Sequence, residues 1–537
     1  MYSQNQKLYL LRYVVYAVLL YFVFFFRDFT PTNELKYVSI VDEALRNGTW
    51  FTFYNHGDIY ADKPPLFFWI MMFLRMLTGG YYLEIIGVFS LLPTIGVLMI
   101  MDKWMKMQHT VHRPIVSELL LLTTAMFLGA ALIIRMDMLM TFFIVLSLYT
   151  FFHIYESKHA HYEKYMLPVY IFLAVFSKGP MGLLIPVVSI VAFLIVKGKF
   201  KTIGHYLGWK QWGIMFCLFA LWFACVYLEG GHAYLENLVF RQTVSRGIDS
   251  FHHKEPFWFY FQRMLATLAP WSLLYIVLIG QGIKKHVVKG DLRLFFAVII
   301  VANVSMLSLI SAKLDIYMLP IYPFVIYLCS SLLPHFEKTK ITQITVLIPA
   351  VLAVLALPVS FFVISKIPYN YENLFVVRFG LSILCLAGLV ALIMLKYKYV
   401  QRAIVSISAG ILGLIFVASF ALPQFNKDLG LGEMAEAAKT QDASQYAYYK
   451  FGVASNMDAY VGEKLIQVDS LNELDTLMRE NNKTVLFVKI AHLSKDSAFA
   501  QRLETSQSVW DNGKYRCYIL HRKTMTPSMF YARESHK

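Results

Sequence analysis

The chain has 537 residues, of which 58% are hydrophobic and only 15% are charged. Its mean hydropathy of +0.54 is too high for a soluble fold of this length, so the composition indicates an integral membrane protein. The formal net charge of +15 does not predict nucleic-acid binding, because the basic residues cluster in short loops between apolar segments.

The motifs exclude two common kinds of site. Four of the five cysteines lie inside apolar runs, so neither a disulfide framework nor a CxxC metal site is available. The chain contains no Walker-type or GxGxxG loop, which argues against the hydrolysis of a soluble nucleotide.

Apolar segments long enough to cross a hydrocarbon layer of about 30 Å recur as far as Leu422. The first, Leu8 to Phe26, has no small-residue cleavage site after it, so we expect a retained helix and not a signal peptide. In all we predict thirteen spans, at about residues 8–26, 82–101, 116–133, 137–154, 165–177, 181–197, 211–228, 264–282, 293–311, 316–333, 341–364, 374–396 and 402–421.

The basic loops predict the topology, because short loops rich in Lys and Arg stay in the cytoplasm. Thirteen crossings then place the N-terminus inside and residues 423–537 outside, together with the long loops 27–65 and 229–263. Segment 66–77 is apolar but too short to span, and we expect it to lie at the membrane interface.

The pattern changes after about Pro423. Short alternating runs at 445–451 and 484–489 indicate strands, and the stretch 470–480 is typical of a helix. The predicted fold is therefore an all-α polytopic membrane domain, residues 1–422, followed by a small soluble α/β domain, residues 423–537.

Ionisable side chains beside membrane helices are costly, which makes them candidates for function. In the first long loop, residues 33–46 fit an amphipathic helix, and Tyr60, Asp62 and Lys63 precede the rigid Pro64-Pro65 pair. A lysine fixed at that depth can meet a lipid phosphate. The alternative is a lysine that only snorkels from a helix start.

Other outward-facing helix ends and loops also carry polar residues, and these are Arg135, Asp137, Lys178, Arg246, His252, His253, Lys313, Asp315 and Tyr317. Several cations that converge at one membrane face beside carboxylates suit an embedded anion such as a lipid phosphate. A plain structural ion pair between Arg135 and Asp137 is the alternative. Adjacent histidines do not predict zinc here, because no third ligand is spaced nearby.

Seven motifs occur in an order that is characteristic of one group of enzymes. They are Asn33-Glu34-Leu35-Lys36-Tyr37, Gly48-Thr49-Trp50, Tyr60 to Leu66, Arg135-Met136-Asp137, Ser177-Lys178-Gly179-Pro180, His253 to Trp258, and Lys313 to Pro320. Over roughly residues 8–335 the chain resembles the GT-C glycosyltransferases related to the lipid A 4-amino-4-deoxy-L-arabinose transferase and to protein O-mannosyltransferases.

The resemblance implies thirteen spans, an undecaprenyl-phosphate sugar donor, and inverting transfer at the periplasmic face of the cell inner membrane. It also implies that Lys63, Arg246 and Tyr317 bind the donor phosphate and that Asp137 is a catalytic carboxylate. Supporting positions in the matched motifs are Asn33, Lys36, Tyr37, Tyr60, Asp62, Arg135, Lys178, His253 and Lys313.

One departure from the family changes the expected chemistry. Asn33 stands where the aminoarabinose transferases carry an aspartate, and an amide cannot accept a proton. Glu34 is therefore our first candidate for the general base, and Asp137 is the second. No definite cofactor is implied. A divalent metal ion held by Glu34 and Asp137 stays open, although two carboxylates are not a full ligand set.

The sequence leaves the sugar and the acceptor undecided. Lipid A, another glycan and a secreted protein all fit as acceptors, and transfer to a protein would be the activity of the O-mannosyltransferases. A glycolipid transporter would place its polar groups near the middle of the bilayer, whereas here they gather at one face. A catalytically silent scaffold of the same fold is a third hypothesis, suggested by Asn33.

Overall fold

The computed structural model describes residues 4–107, 113–157, 162–239, 255–364, 374–480 and 483–521. The chain forms two compact units. The first consists of Met1–Phe26, Asn47–Phe53 and Ile59–Leu422. The second consists of Arg27–Arg46, Tyr54–Asp58 and Pro423–Lys537, so it takes two pieces of the first long loop into the same unit as the C-terminal residues.

The first unit is built from helices. Its α-helices are Gln4–Phe26, Leu66–Thr78, Leu83–Met107, Pro114–Leu122, Ala125–Ala131, Asp137–Glu156, Glu163–Lys178, Met181–Val196, Ile203–Tyr206, Trp209–Glu236, Phe259–Thr267, Ser272–Lys284, Asp291–Leu309, Tyr322–Phe336, Lys340–Ile364, Leu374–Lys396 and Val400–Ser419, with 3-10 turns at Phe200–Thr202 and Asp315–Ile321.

Among the described residues, nine helices are long and apolar enough to cross a membrane, or eleven if each of two bent pairs forms one span. The two remaining predicted spans are the helices Glu163–Lys178 and Met181–Val196, of 16 residues each. At 1.5 Å per residue, each is about 24 Å long, a little short of the hydrocarbon thickness. The polytopic helical fold is confirmed, whereas the count of thirteen stays a prediction.

Two predicted spans are broken helices. Pro114–Leu122 and Ala125–Ala131 meet at 75°, and Phe259–Thr267 and Ser272–Lys284 meet at 118°. The hydroxyls of Thr123 and Thr124 donate to carbonyls one turn back, at 2.6 and 2.8 Å, a bond that bends helices. One hydrogen bond joins the two breaks, in which the backbone amide of Ala125 donates to the Ala269 carbonyl at 2.8 Å.

The second unit contains a five-stranded mixed sheet. Its strands are β3 Gln445–Tyr449, β4 Ile466–Val468, β5 Lys483–Lys489, β6 Gln507–Asp511 and β7 Tyr515–His521, and a short ribbon is formed by β1 Tyr54–Asn55 and β2 Asp58–Ile59. The strand order is β4-β3-β5-β7-β6. Strand β3 pairs in parallel with β4 and β5, and β7 pairs antiparallel with β5 and β6.

Short helices cover this sheet. They are Pro423–Leu429, Gly432–Lys439, Asp458–Val461, Leu471–Glu480, Ile490–Leu493 and Ser497–Leu503, with a 3-10 turn at Ala454–Met457; Glu34–Asn47 from the first loop also lies mainly in this unit. Leu474, Leu486 and Phe499 are buried in one apolar core between sheet and helices. The predicted α/β character of the C-terminal region is confirmed.

The predicted topology can be tested with reporters. An odd number of crossings from a cytoplasmic N-terminus requires the C-terminus to lie outside. We expect alkaline phosphatase fused after Lys537 to be active and green fluorescent protein fused there to be dark in a bacterial host. Fusions that end after Lys289, in a predicted cytoplasmic loop, serve as the control and should give the opposite pair. A fluorescent C-terminal fusion would mean an even number of crossings.

Candidate active site

The first unit holds a buried carboxylate between two cations. Asp137 is the first residue of the helix Asp137–Glu156 and is 1% exposed. Its Oδ1 accepts a hydrogen bond from the ammonium of Lys178, and its Oδ2 lies 3.1 Å from Nε of Arg135. A charge buried at this depth is tolerated because it is paired.

Helix geometry explains why these charges meet. Lys178 is the last residue of the helix Glu163–Lys178, which packs against Asp137–Glu156. The acid therefore stands at a helix N-terminus and the lysine at a helix C-terminus, where each complements the dipole of its own helix. Gly179, with a φ of +118°, then turns the chain directly after the lysine.

Two further predicted residues lie close to this pair. The Nζ atom of Lys178 is 5.4 Å from the centroid of the Tyr317 ring, which is a cation–π distance. Lys63 is near enough to add to the positive potential at Asp137. The fold thus brings Lys63, Arg135, Asp137, Lys178 and Tyr317 together from four separate parts of the sequence.

Asp137 and Arg135 keep hydrogen-bonding capacity. Although Oδ2 of Asp137 and Nε of Arg135 are only 3.1 Å apart, neither atom has a hydrogen-bond partner in the parts of the chain that the structure describes. Both residues line a cavity of about 540 Å³, whose other walls include the small residues Ala125, Gly129 and Ala266. The two atoms without partners are themselves buried, and the residues that carry them form part of the cavity wall.

The loop that carries Lys63 is fixed by a residue that sequence reasoning missed. The carboxylate of Glu229 accepts hydrogen bonds from three successive backbone amides, those of Trp50, Phe51 and Thr52, at 2.6 to 2.7 Å. It also accepts the Thr52 hydroxyl at 2.9 Å. Gly231 follows with a φ of +70° and interrupts the helix Trp209–Glu236 beside this contact. The sequence signal that could have identified Glu229 is an acidic residue followed by two glycines within an apolar helix.

A tyrosine from the same helix extends this attachment towards Lys63. Tyr234 is 2% exposed, and its hydroxyl accepts the Phe53 amide and donates to the Tyr60 carbonyl, both at 3.0 Å. Lys63 follows three residues after Tyr60. The predicted supporting residue Tyr60 is therefore held through its backbone, and the position of Lys63 depends on the helix Trp209–Glu236.

The predicted Lys313 and the nearby Asp315 form separate contacts. Lys313 is 4% exposed, and its ammonium donates to the carbonyls of Glu255 and Ile310 at 2.8 and 2.7 Å. Asp315 accepts from Nε of Arg263 at 2.8 and 3.0 Å. These bonds tie the start of the helix Phe259–Thr267 to the turn before Tyr317. Arg263 was not predicted, although it stands at the edge of a predicted span.

Glu34 lies in the second unit, and its carboxylate is heavily bonded. It is fully buried and receives two hydrogen bonds of 2.6 Å from the guanidinium of Arg27. The Thr30 amide adds a third, at 2.8 Å. Of its predicted neighbours, Tyr37 is buried, Lys36 is half-buried and Asn33 is exposed.

The remaining predicted residues are not tested. Arg246, His252 and His253 lie outside the described residues. Within the described ranges there is no group of three or more His, Cys, Asp and Glu side chains that could hold a metal ion. Glu34 and Asp137, the two carboxylates suggested for a divalent ion, belong to different units. A metal ion held by Glu34 and Asp137 stays a prediction. Asp62, the predicted supporting residue that precedes Lys63 in the sequence, is half-buried.

Comparison with known proteins gives distant relatives. No family model matches the chain. Over 341 residues it is 24% identical to an uncharacterised protein of Aquifex aeolicus (strain VF5), covering 61% of this chain and 65% of that one. Over 307 residues it is 24% identical to the undecaprenyl phosphate-alpha-4-amino-4-deoxy-L-arabinose arabinosyl transferase of Enterobacter sp. (strain 638), covering 55% and 54%. The matched region thus spans less than two thirds of either relative.

Solved structures define the fold. The crystal structure of ArnT from Cupriavidus metallidurans bound to undecaprenyl phosphate matches with a TM-score of 0.77 at 15% identity, over 95% of this chain and 98% of that one. The chain therefore has the GT-C fold. The predicted resemblance to the aminoarabinose transferases is confirmed by this match and by the curated relatives.

The attachment of the first loop to Glu229 makes a testable prediction. In a Glu229→Gln variant, one acceptor oxygen is replaced by a donor that faces backbone amides. Since a hydrogen bond to a charged group contributes about 1.5–3 kcal/mol, the amides of Trp50, Phe51 and Thr52 should exchange with deuterium at least about tenfold faster.

The matched control is Glu236→Gln on the same helix, whose side chain is 61% exposed and lies 3.6 Å from His232. Exchange at residues 50–52 that is equal in the two variants would show that Glu229 does not hold the loop.

Proposed function

We propose that this protein is an inverting glycosyltransferase that takes a sugar from a polyprenyl-phosphate donor at the outer face of the inner membrane. The observation that carries the proposal is the pairing of Asp137 with Arg135 and Lys178 beside a cavity, with Lys63 near enough to add to the positive potential there. The names of the curated relatives and the GT-C fold support the same activity.

The cations suit the leaving group. When the sugar leaves, negative charge grows on the lipid phosphate, and preorganised cations lower the energy of that transition state. We assign this role to Lys63, together with Arg246, and we assign to Tyr317 a hydrogen bond to a phosphate oxygen. Nε of Arg135 lies 3.1 Å from Oδ2 of Asp137, which makes Arg135 a further candidate for contact with substrate on the side of the proposed base.

A carboxylate across the anomeric carbon takes the proton of the acceptor hydroxyl. The bond from that hydroxyl oxygen to the anomeric carbon forms as the bond to the phosphate oxygen breaks, and one such displacement inverts the configuration. The geometry favours Asp137 over Glu34 as the base, because Oδ2 of Asp137 has no hydrogen-bond partner among the described residues. Both oxygens of Glu34 accept from Arg27.

We propose undecaprenyl phosphate as the carrier lipid and a periplasmic glycolipid such as lipid A as the acceptor. The support is the activity for which the curated relatives are named and the ligand bound in the matching crystal structure. Mass spectrometry of lipid A and of periplasmic glycoproteins from cells lacking this chain separates the two acceptor classes. A sugar lost from proteins alone would overturn the glycolipid acceptor.

The first test is sugar transfer from a polyprenyl-phosphate donor in membranes. We expect Asp137→Asn to lower the rate by about 10²- to 10⁴-fold, and Lys63→Ala by about 10²- to 10³-fold, because a base and a phosphate contact are lost.

The control is Asp291→Asn. Asp291 also begins a helix and forms an ion pair with Lys197 at 2.8 Å, so this variant removes a similar ion pair away from the proposed site. Wild-type rates in both Asp137→Asn and Lys63→Ala would refute the proposal.

A second test separates the two candidate bases. If Asp137 is the base, Glu34→Gln retains more activity than Asp137→Asn, since an amide can still accept from Arg27 through one oxygen. Measuring kcat and KM for the donor in both variants checks this. A larger loss of kcat in Glu34→Gln would return the role of base to Glu34.

A further inference from the structure

Two side chains of the short helix Phe259–Thr267 contact one neighbouring segment. Arg263 and Thr267 stand four residues apart, so both lie on one face of the helix. Nε of Arg263 donates to Oδ1 and Oδ2 of Asp315 at 2.8 and 3.0 Å, and Nη2 also donates to Oδ2. The Thr267 hydroxyl lies 2.5 Å from the hydroxyl of Tyr322 and forms a hydrogen bond with it. The helix is therefore joined to this segment at two separate points.

These two contacts lie at the two ends of the 3-10 turn Asp315–Ile321, which carries Tyr317. Asp315 is the first residue of the turn, and Tyr322 directly follows its last residue. The Nζ atom of Lys178 is 5.4 Å from the centroid of the Tyr317 ring. The short helix thus holds both ends of the turn whose tyrosine ring lies beside the lysine of the proposed site.

The same two elements form one wall of the cavity at the proposed site. Ala266 and Thr267 of the helix line this cavity, and so do Asp315 and Ile316 of the turn. Asp137 lines it as well. Since the two side-chain pairs join the helix to the turn, they also determine how far apart these two parts of the wall lie.

The two pairs differ in their surroundings. Tyr322 is fully buried, so its hydroxyl pair belongs to the core. The side chains of Arg263 and Asp315 are 51% and 22% exposed. An exposed ion pair contributes little to the free energy of unfolding. A guanidinium that contacts both oxygens of a carboxylate nevertheless fixes the orientation of that carboxylate. The Arg263–Asp315 pair is therefore better suited to setting geometry than to stabilising the fold.

We propose that Arg263 is a positioning residue for sugar transfer, which acts through Asp315 to hold the Tyr317 hydroxyl where it meets the donor phosphate. The inference rests on the proposed function in one respect, that Tyr317 contacts this phosphate. All three residues belong to the first unit. Because a hydrogen bond weakens steeply once its distance and angle leave a narrow range, a small shift of the turn is enough to lose the contact.

The experiment is a double-mutant cycle on sugar transfer by the full-length protein in membranes. We expect Arg263→Gln and Tyr317→Phe each to lower kcat/KM for the donor lipid about tenfold, as for the loss of one hydrogen bond to a charged group. In the Tyr317→Phe background, Arg263→Gln should cost less than about a further twofold, because the hydroxyl that Arg263 positions is already absent.

Two results of the cycle would overturn the inference. If the two losses multiply in the double variant, Arg263 does not act through Tyr317. If Tyr317→Phe transfers sugar at the wild-type rate, the contact that Arg263 is proposed to position does not exist.

The matched control is Arg516→Gln, which should leave kcat/KM unchanged. Arg516 also forms a half-exposed ion pair with an aspartate, Asp511, and it belongs to the second unit. Asp315→Ala guards against an arginine variant that fails to fold, because it breaks the same pair from the other side. It should lower kcat/KM as Arg263→Gln does, and a wild-type value in Asp315→Ala would contradict the inference.

Deuterium exchange separates failure of this inference from failure of the proposed function. The amides of residues 314–322 should exchange faster in Arg263→Gln and Asp315→Ala than in the wild type and in Arg516→Gln, because the turn has lost one of its two attachments. Unchanged exchange in both variants would show that Arg263 does not hold the turn. A wild-type protein that transfers no sugar would refute the proposed function, and with it the catalytic part of the inference.

Discussion

The ion pair between Asp137 and Lys178 is the constraint on which the proposed site depends. A buried carboxylate at the end of an apolar helix is strongly destabilising unless it is paired with a cation. The helices Asp137–Glu156 and Glu163–Lys178 must therefore keep their register, since a shift of one turn would separate the two charges by about 5 Å. That register also places Arg135 and Tyr317 around the same carboxylate.

The charged residues discussed for the first unit divide into two groups. Glu229, Lys313 and Arg263 form hydrogen bonds with backbone groups or with a single side chain, and these bonds hold loops at the ends of membrane helices. Asp137 and Arg135 keep one buried oxygen and one buried nitrogen without a hydrogen-bond partner among the described residues, and both residues line a cavity. This difference separates the proposed substrate contacts from the scaffold more clearly than charge alone does.

Hydropathy and charge placement predicted the helical architecture because membrane spans are defined by local composition. Every predicted span has a helix at its position, and the alternating runs after Pro423 are strands of the sheet. The same reasoning placed Arg135, Asp137 and Lys178 at outward helix ends, where Asp137 contacts the other two. Averaged hydropathy could not detect the breaks at residues 123–124 and 268–271, since each break is at most four residues long.

Contacts between distant segments were beyond the sequence. The Glu229 carboxylate binds amides 177 to 179 residues earlier, and Asp28 binds an amide 404 residues later. Backbone donors and glycines that give space carry no composition signal, so the partners of Glu229 and Asp28 could not be found without the fold. Glu34 shows the consequence, because its motif indicated a general base whereas the structure shows its carboxylate accepting hydrogen bonds from Arg27 and from the Thr30 amide.

We propose that the protein transfers a sugar from a lipid phosphate and does not carry the lipid across the membrane. Purified protein in vesicles that contain a polyprenyl-phosphate sugar and an acceptor glycolipid tests it directly, with mass spectrometry of both lipids after one round of reaction. We expect one polyprenyl phosphate to be released for each sugar joined to the acceptor, with inverted anomeric configuration. Donor lipid recovered intact in the opposite leaflet, with no sugar-linked product, would contradict it.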